Sequence, residues 1–230
     1  MFGFGLNSKK WVKESQKTEK ETKKNTGFSF NTWKNIATTF NQDLENFNEM
    51  HSSDIPELDN TLIYFEMISF PKKLTLVQNL ALWGYYHSAL QELRFLLETT
   101  ILAYYLDQQL PKTDYSSKIK LMQKHKGELW GVRLRRRAYM KEREFGEEVE
   151  KVIEEVNYSI DQYMQDNKID SWRLKHLPYI EEEFNECVRH TRNVCALVMR
   201  HFTKCFSDFT YSGEMIITMI KEEQIETKQI

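Results

Sequence analysis

The segment Leu74 to Leu110, LTLVQNLALWGYYHSALQELRFLLETTILAYYLDQQL, limits what this chain can fold into more than any other. It lies between Pro71 and Pro111 and carries apolar residues on nearly every side, as a helix surrounded by other helices does. As one continuous helix it would reach roughly 55 Å at ~1.5 Å per residue, long enough to be the central element of a bundle. Gly84 is the place where it can bend, because glycine weakens a helix interior by ~1 kcal/mol relative to alanine. Asn79, His87, Ser88, Gln91, Arg94, Glu98 and Thr99 interrupt the apolar runs, so the segment is a poor membrane span and reads as a core helix.

His87, Gln91, Arg94 and Glu98 recur at four, three and four residues, which places them on a single helical stripe. Arg94 and Glu98 should pair if the stripe is buried, since an unpaired buried charge is costly. The stripe then serves either as a polar seam to a neighbouring helix or, with His190, as a catalytic or ligand-contacting site.

The rest of the composition agrees with helices. Only 4 Pro and 8 Gly stand against 11 Tyr and 14 Phe, which favours long helices with few turns and an aromatic core. An all-α bundle of about six helices follows, in one domain spanning residues 28–210. Residues 1–27 carry seven Lys and three Glu among Ser, Thr, Asn and Gln, and read as a disordered, mildly basic tail. Phe2, Phe4, Leu6 and Trp11 at its start would suit a short peptide that docks on a protein partner. Residues 211–230 fit either a short helix or an added strand.

Between these ends the helical faces are readable from spacing. Trp33, Ile36, Ala37, Phe40, Leu44, Phe47 and Met50 define one amphipathic helix, and Leu58, Leu62, Phe65 and Ile68 a second that should pair with it antiparallel. Pro71 either ends that second helix or starts the central one. Val149, Val152, Ile153, Val156, Ile160 and Tyr163 mark another helix. Phe184, Cys187, Val188, Thr191, Val194, Cys195, Val198, Phe202 and Phe206 mark the last, which begins near Pro178.

The net charge of −2 gives no general attraction to nucleic acid or acidic membranes, so such binding needs a local patch. One is present: Lys126 to Arg143 holds seven Lys or Arg and two Glu, centred on Arg133, Arg135, Arg136 and Arg137 with Trp130 and Tyr139 beside them. Arginines among aromatics can hold phosphates and stack on bases, or can pair with the acidic run Glu142 to Glu150 that follows. Arg189, Arg192 and Arg200 would extend the patch.

Cys187, Cys195 and Cys205 fall within one helix at spacings of eight and ten, matching neither a metal knuckle nor a disulfide frame. They read as reduced thiols, two of them buried, and no metal or cofactor is expected. No Glu-x-x-His, GxGxxG, GxxxxGK[ST], HExxH or GxSxG occurs. The N-terminus lacks the apolar core of a signal peptide, which points to a cytoplasmic protein. The balance is toward binding rather than catalysis, and long apolar helices suit a homodimer.

The run YYHSALQELRFLLETTILAYYLD, Tyr85 to Asp107, resembles the long helix of HEPN-like and related abortive-infection-type proteins of prokaryotes. There an aromatic or His residue, Ala-Leu, Arg-x-x-x-Glu and an apolar run ending in Tyr-Leu recur, here as His87, Ala89, Leu90, Arg94, Glu98 and Tyr105-Leu106. The resemblance implies an all-α bundle, dimerisation and, in active members, metal-independent RNA cleavage. Active members carry an Arg followed four to six residues later by His on a late helix. Here Arg189 and Arg192 precede His201 by twelve and nine residues, so no catalytic residue carries over and a non-catalytic relative fits.

Overall fold

The computed structural model describes residues 5–51, 58–124, 132–167 and 176–209, and every regular element among them is a helix. The expected C-terminal extension at 211–230 lies outside these residues. Helix α1 spans Gly5–Met50. Its second half buries Trp33, Ile36, Ala37, Phe40, Leu44 and Phe47, the spacing read from sequence.

Helix α2, Leu62–Leu82, runs antiparallel to α1. Its Gln78 Nε2 donates to the Trp33 carbonyl at 2.8 Å, and Tyr64 at its other end donates to Asn48 Oδ1 at 3.0 Å. The Phe40 and Phe70 rings between these bonds stand 4.7 Å apart. Pro71 neither ends nor starts this helix but sits inside it. Lacking an N–H, it leaves the Met67 carbonyl without its ordinary donor, a loss the apolar packing of Met67, Phe70, Pro71 and Leu74 tolerates.

The expected single helix from Leu74 to Leu110 is two helices. The chain reverses at Trp83 to Tyr85, and α3, Tyr86–Gln109, folds back along α2. Gly84 makes the reversal with φ +80°, a left-handed conformation that residues with a Cβ avoid. Its surroundings forbid a side chain as well, because an added Cβ would lie 2.0 Å from the Leu177 carbonyl oxygen. The Leu177 N–H donates to the Gly84 carbonyl at 3.0 Å, which ties the turn to the segment before the last helix.

The far end of the hairpin closes on Asp107. Its carboxylate accepts the backbone N–H groups of Leu62 at 3.0 Å and Ile63 at 2.8 Å, taking two orphan donors of α2. Lys118 of α4, Tyr115–Lys124, donates to Asp107 Oδ1 at 2.8 Å and to the Asn60 carbonyl at 2.7 Å.

Helix α5, Val132–Ala138, then leads to α6, Arg143–Asn167, and α7, Glu181–Cys205. Helix α7 lays Phe184, Cys187, Val188, Thr191, Val194, Cys195, Val198 and Phe202 into the core, chiefly against α3.

Residues 5–27, read from sequence as a tail, continue α1 without a break. The physical reason is a stripe of small hydroxyl residues, Ser15, Thr18 and Thr22, all buried. Thr18 Oγ1 lies 3.0 Å from His176 Nε2, and Trp83 Nε1 donates to Glu19 Oε2 at 3.3 Å. Small side chains let the helix approach the Gly84 turn closely, and polar packing of this kind leaves no apolar periodicity to read. No helix among the described residues is long and apolar enough to cross a membrane.

Candidate functional site

The stripe of α3 does not act as a unit. His87 is buried near the start of the helix, stacked on the Tyr163 ring of α6 at 5.9 Å and 16°, and burial lowers its pKa. Its Nε2 has no hydrogen-bond partner among the described residues. Gln91 and Arg94 are exposed. Glu98, three turns along, receives Arg94 Nε at 3.3 Å and faces Arg135 NH1 at 3.8 Å. His87 and Glu98 thus belong to separate contacts, and neither reaches the other.

His190 sits in a second polar cluster between α6 and α7. Ser159 Oγ at 2.8 Å, Arg189 NH2 at 2.9 Å and Glu186 Oε2 at 3.2 Å all converge on its Nε2. Arg189 also grips Glu186 through NH2 at 2.6 Å and Nε at 3.2 Å, and reaches Glu155 across the helix pair at 3.5 Å. The hydrogen bond from His190, then Arg189, hold the Glu186 carboxyl down to about 2 against the opposing effect of burial.

Serine, histidine and glutamate in contact invite comparison with a nucleophilic triad, but the geometry differs. A relay needs the hydroxyl on one imidazole nitrogen and the carboxylate on the other. Here both meet at Nε2, while the buried Nδ1 has no partner among the described residues. The cluster therefore clamps α6 to α7 and does not activate Ser159.

The third histidine of the core is equally committed. His201 Nδ1 donates to the Leu197 carbonyl at 2.7 Å, which leaves Nε2 to accept the Tyr139 hydroxyl at 2.5 Å. Burial lowers its pKa to about 4. Cys187 and Cys195 are fully enclosed and their thiols pushed up by burial, and Cys205 is pushed up to about 12. None is a thiolate nucleophile at neutral pH. No group of three or more His, Cys, Asp or Glu among the described residues is placed to hold a metal ion.

The arginine patch is divided by the fold. Arg135 is buried, and its Nε and NH2 grip Glu150 at 2.6 and 2.9 Å in a bidentate pair. It is thus neutralised, with Glu98 as a third contact, and cannot present itself to a phosphate. This is the alternative that the acidic run at 142–150 already offered. Arg136 and Arg137 are exposed on α5, followed by exposed Lys141. The side chain of Arg133 lies outside the described residues. A cleft of about 550 Å³ between α5 and α6 is lined by Arg136, Met140 and Arg143 together with Glu147, Glu150 and Glu154, so it is mixed in sign.

The proposed extension of the patch on α7 is also paired. Arg189 binds Glu186 and Glu155, and Arg200 binds Glu148 while its guanidinium sits 4.4 Å over the Phe145 ring. Arg192 contacts Asn193 Oδ1 at 3.2 Å.

Sequence reasoning missed Ser159, Asp107 and Lys118. Their partners lie 11 to 58 residues away, so spacing along one helix carried no signal for them. No family model, curated protein or solved structure matches the chain.

Proposed function

We propose that this chain is a non-catalytic helical binding module whose partner is nucleic acid. The observation that carries the reading is a division of labour among the charged and nucleophilic groups. His87, Glu98, His190, His201 and the cysteines, the groups a catalytic reading would use, are enclosed in the core or committed to helix-helix contacts. Arg136, Arg137 and Lys141 stay exposed, without an ion-pair partner within 4 Å among the described residues. Arginines held on a rigid helix with Tyr139 and Met140 beside them suit phosphate contact.

This reading keeps the non-catalytic side of the HEPN-like resemblance. It drops Arg135 from the interface, because that residue holds α5 to α6. The test is fluorescence anisotropy with a labelled oligonucleotide at 50 mM salt, comparing the full chain with Arg136→Ala/Arg137→Ala. Loss of affinity with an unchanged melting temperature supports the reading, and the absence of any binding by the unaltered chain ends it.

A further inference from the structure

The longest unneutralised positive surface lies on a different element. Lys10, Lys13, Lys17, Lys20 and Lys24 recur at three, four, three and four residues along α1, and all five are exposed. That spacing holds them on one face of the helix, opposite the Ser15, Thr18 and Thr22 stripe that docks on the Gly84 turn. Their neutralisation is slight. Lys10 and Lys17 reach glutamates of the same helix only at 3.9 and 3.8 Å with 78% of each side chain exposed. Lys13, Lys20 and Lys24 have no ion pair within 4 Å among the described residues. From residue 10 to 24 six lysines stand against three glutamates, in a chain whose whole charge is −2.

We infer that this ridge is a track for the phosphate backbone of nucleic acid, resting on the function proposed above and naming a second surface for it. The ridge is about 21 Å long at ~1.5 Å per residue, and a duplex presents one charge per ~1.7 Å of axis, so each lysine has a phosphate within its reach. Lysine is a compact point charge without the planar fork of arginine, so the contact reads backbone and not sequence.

An anionic membrane surface would attract the same lysines but needs an apolar face to bury beside them. On this helix the side opposite the lysines packs on the bundle and Trp11 leans on Tyr85 at 5.6 Å, so the apolar surface left beside the lysines among the described residues is the half-exposed Trp11 and Val12, too little to bury a helix face in lipid. A polar groove of about 340 Å³ between α1 and α2 runs beside the ridge. Lys34, Thr38, Asn41 and Asn79 in its wall supply donors and acceptors for the sugar and base edges of a bound strand, and Lys23 and Glu19 also line it.

The test uses the full chain, a labelled 20-nucleotide single strand and the corresponding duplex, read by anisotropy from 50 to 200 mM KCl. Each phosphate contact contributes about eightfold in affinity at 0.1 M salt and ~0.9 to the salt slope for duplex. Lys13→Gln/Lys17→Gln/Lys20→Gln/Lys24→Gln should lower affinity at least a hundredfold and flatten the duplex slope by about 3.6. The corresponding four lysine-to-arginine changes should keep both near the starting values, and circular dichroism should show all variants equally helical. Binding by the glutamine variant equal to the unaltered chain overturns the ridge. Loss confined to Arg136→Ala/Arg137→Ala overturns the ridge but keeps the proposed function, whereas no binding by the unaltered chain at 50 mM overturns both. Capture by anionic phospholipid vesicles with no oligonucleotide binding also overturns it.

Discussion

Removing the carboxylate of Asp107 should cost far more than removing the ammonium it binds. Lys118 is fully enclosed, and among the described residues its charge is met by Asp107 Oδ1 at 2.8 Å and the Asn60 carbonyl at 2.7 Å. In Asp107→Ala the ammonium stays in the core without a counter-charge, a loss of about 3–5 kcal/mol. The same change frees the Leu62 and Ile63 N–H groups, and a lost helix cap adds about 1 kcal/mol. In Lys118→Met the buried charge disappears along with its partner's burden. Asp107 keeps both backbone donors and some access to water, with 11% of its side chain exposed, so the cost is about 1–2 kcal/mol.

Urea unfolding followed by circular dichroism at 222 nm measures both. In a chain of this size each kcal/mol moves the melting temperature by about 2–4 °C, so Asp107→Ala, at about 4–6 kcal/mol, should fall by about 8–24 °C and Lys118→Met by well under half of that. The double variant Asp107→Asn/Lys118→Met carries no buried charge and should lie between them, nearer the methionine variant. Equal losses for the two single variants would refute the reasoning, because the buried ammonium would then contribute nothing to the asymmetry.

Gly84→Ala should destabilise by several kcal/mol, since it combines a positive φ with a Cβ 2.0 Å from the Leu177 oxygen; a thermal melt within 2 °C of the parent would show that the turn relaxes freely. His201 contributes a pH dependence with a definite sign. Its folded pKa of about 4 lies below the ordinary histidine value, so its stabilisation is complete above about 6.5 and is lost as pH falls from there toward 4, at up to ~1.4 kcal/mol per pH unit. Glu142, Lys204 and Arg200 act on the same imidazole, and His201→Phe should flatten the stability profile in that interval, at a pH-independent cost of about 1–3 kcal/mol for the buried Tyr139 hydroxyl it leaves without its acceptor. Glu186, held at about 2, contributes stability present above its ordinary value of 4.5 and lost toward pH 2, so Glu186→Gln should lower the melting temperature at neutral pH, with the difference from the parent shrinking as pH falls from about 4.5 toward 2. Arg135→Met should cost less than Glu150→Ala, because only the second leaves an enclosed guanidinium short of its bidentate partner.

The helical faces were legible because packing alone sets them. The apolar positions of α6 and α7, from Val149 to Tyr163 and from Phe184 to Phe202, are the buried ones. The hairpin of α2 and α3 was not legible, because a segment apolar on all sides looks the same whether it runs straight among neighbours or folds back on itself. What decides is the Gly84 turn against Leu177, a contact 93 residues away along the chain. Similarly, the stripe from His87 to Glu98 was correctly placed on one helix. Its environment changes along the helix axis, from the Tyr163 ring to the Arg135 guanidinium, and spacing carries no information about that direction. The lysine periodicity of α1 was in the sequence, yet without the buried hydroxyl stripe opposite it there was no reason to read that segment as a helix.

The ion pairs separate the bundle from its basic helix in a way that salt can expose. Inside the bundle five cations are held by carboxylates from other parts of the chain: Lys118 by Asp107, Arg135 by Glu150, Arg189 by Glu155, Arg200 by Glu148, Lys204 by Glu142. Several of these are partly or wholly enclosed, where mobile ions screen them little. Of the ridge lysines, Lys10 and Lys17 reach glutamates of their own helix at the edge of contact distance, so the field of the ridge extends into solvent and is screened within about 8–10 Å at 0.1–0.15 M salt. Raising KCl from 50 to 200 mM should therefore cut oligonucleotide affinity by two orders of magnitude or more while moving the melting temperature by no more than about 2 °C. A melting temperature that fell together with affinity would mean that the two sets of charges are one system, and that the lysine ridge stabilises the docked helix instead of waiting for a partner.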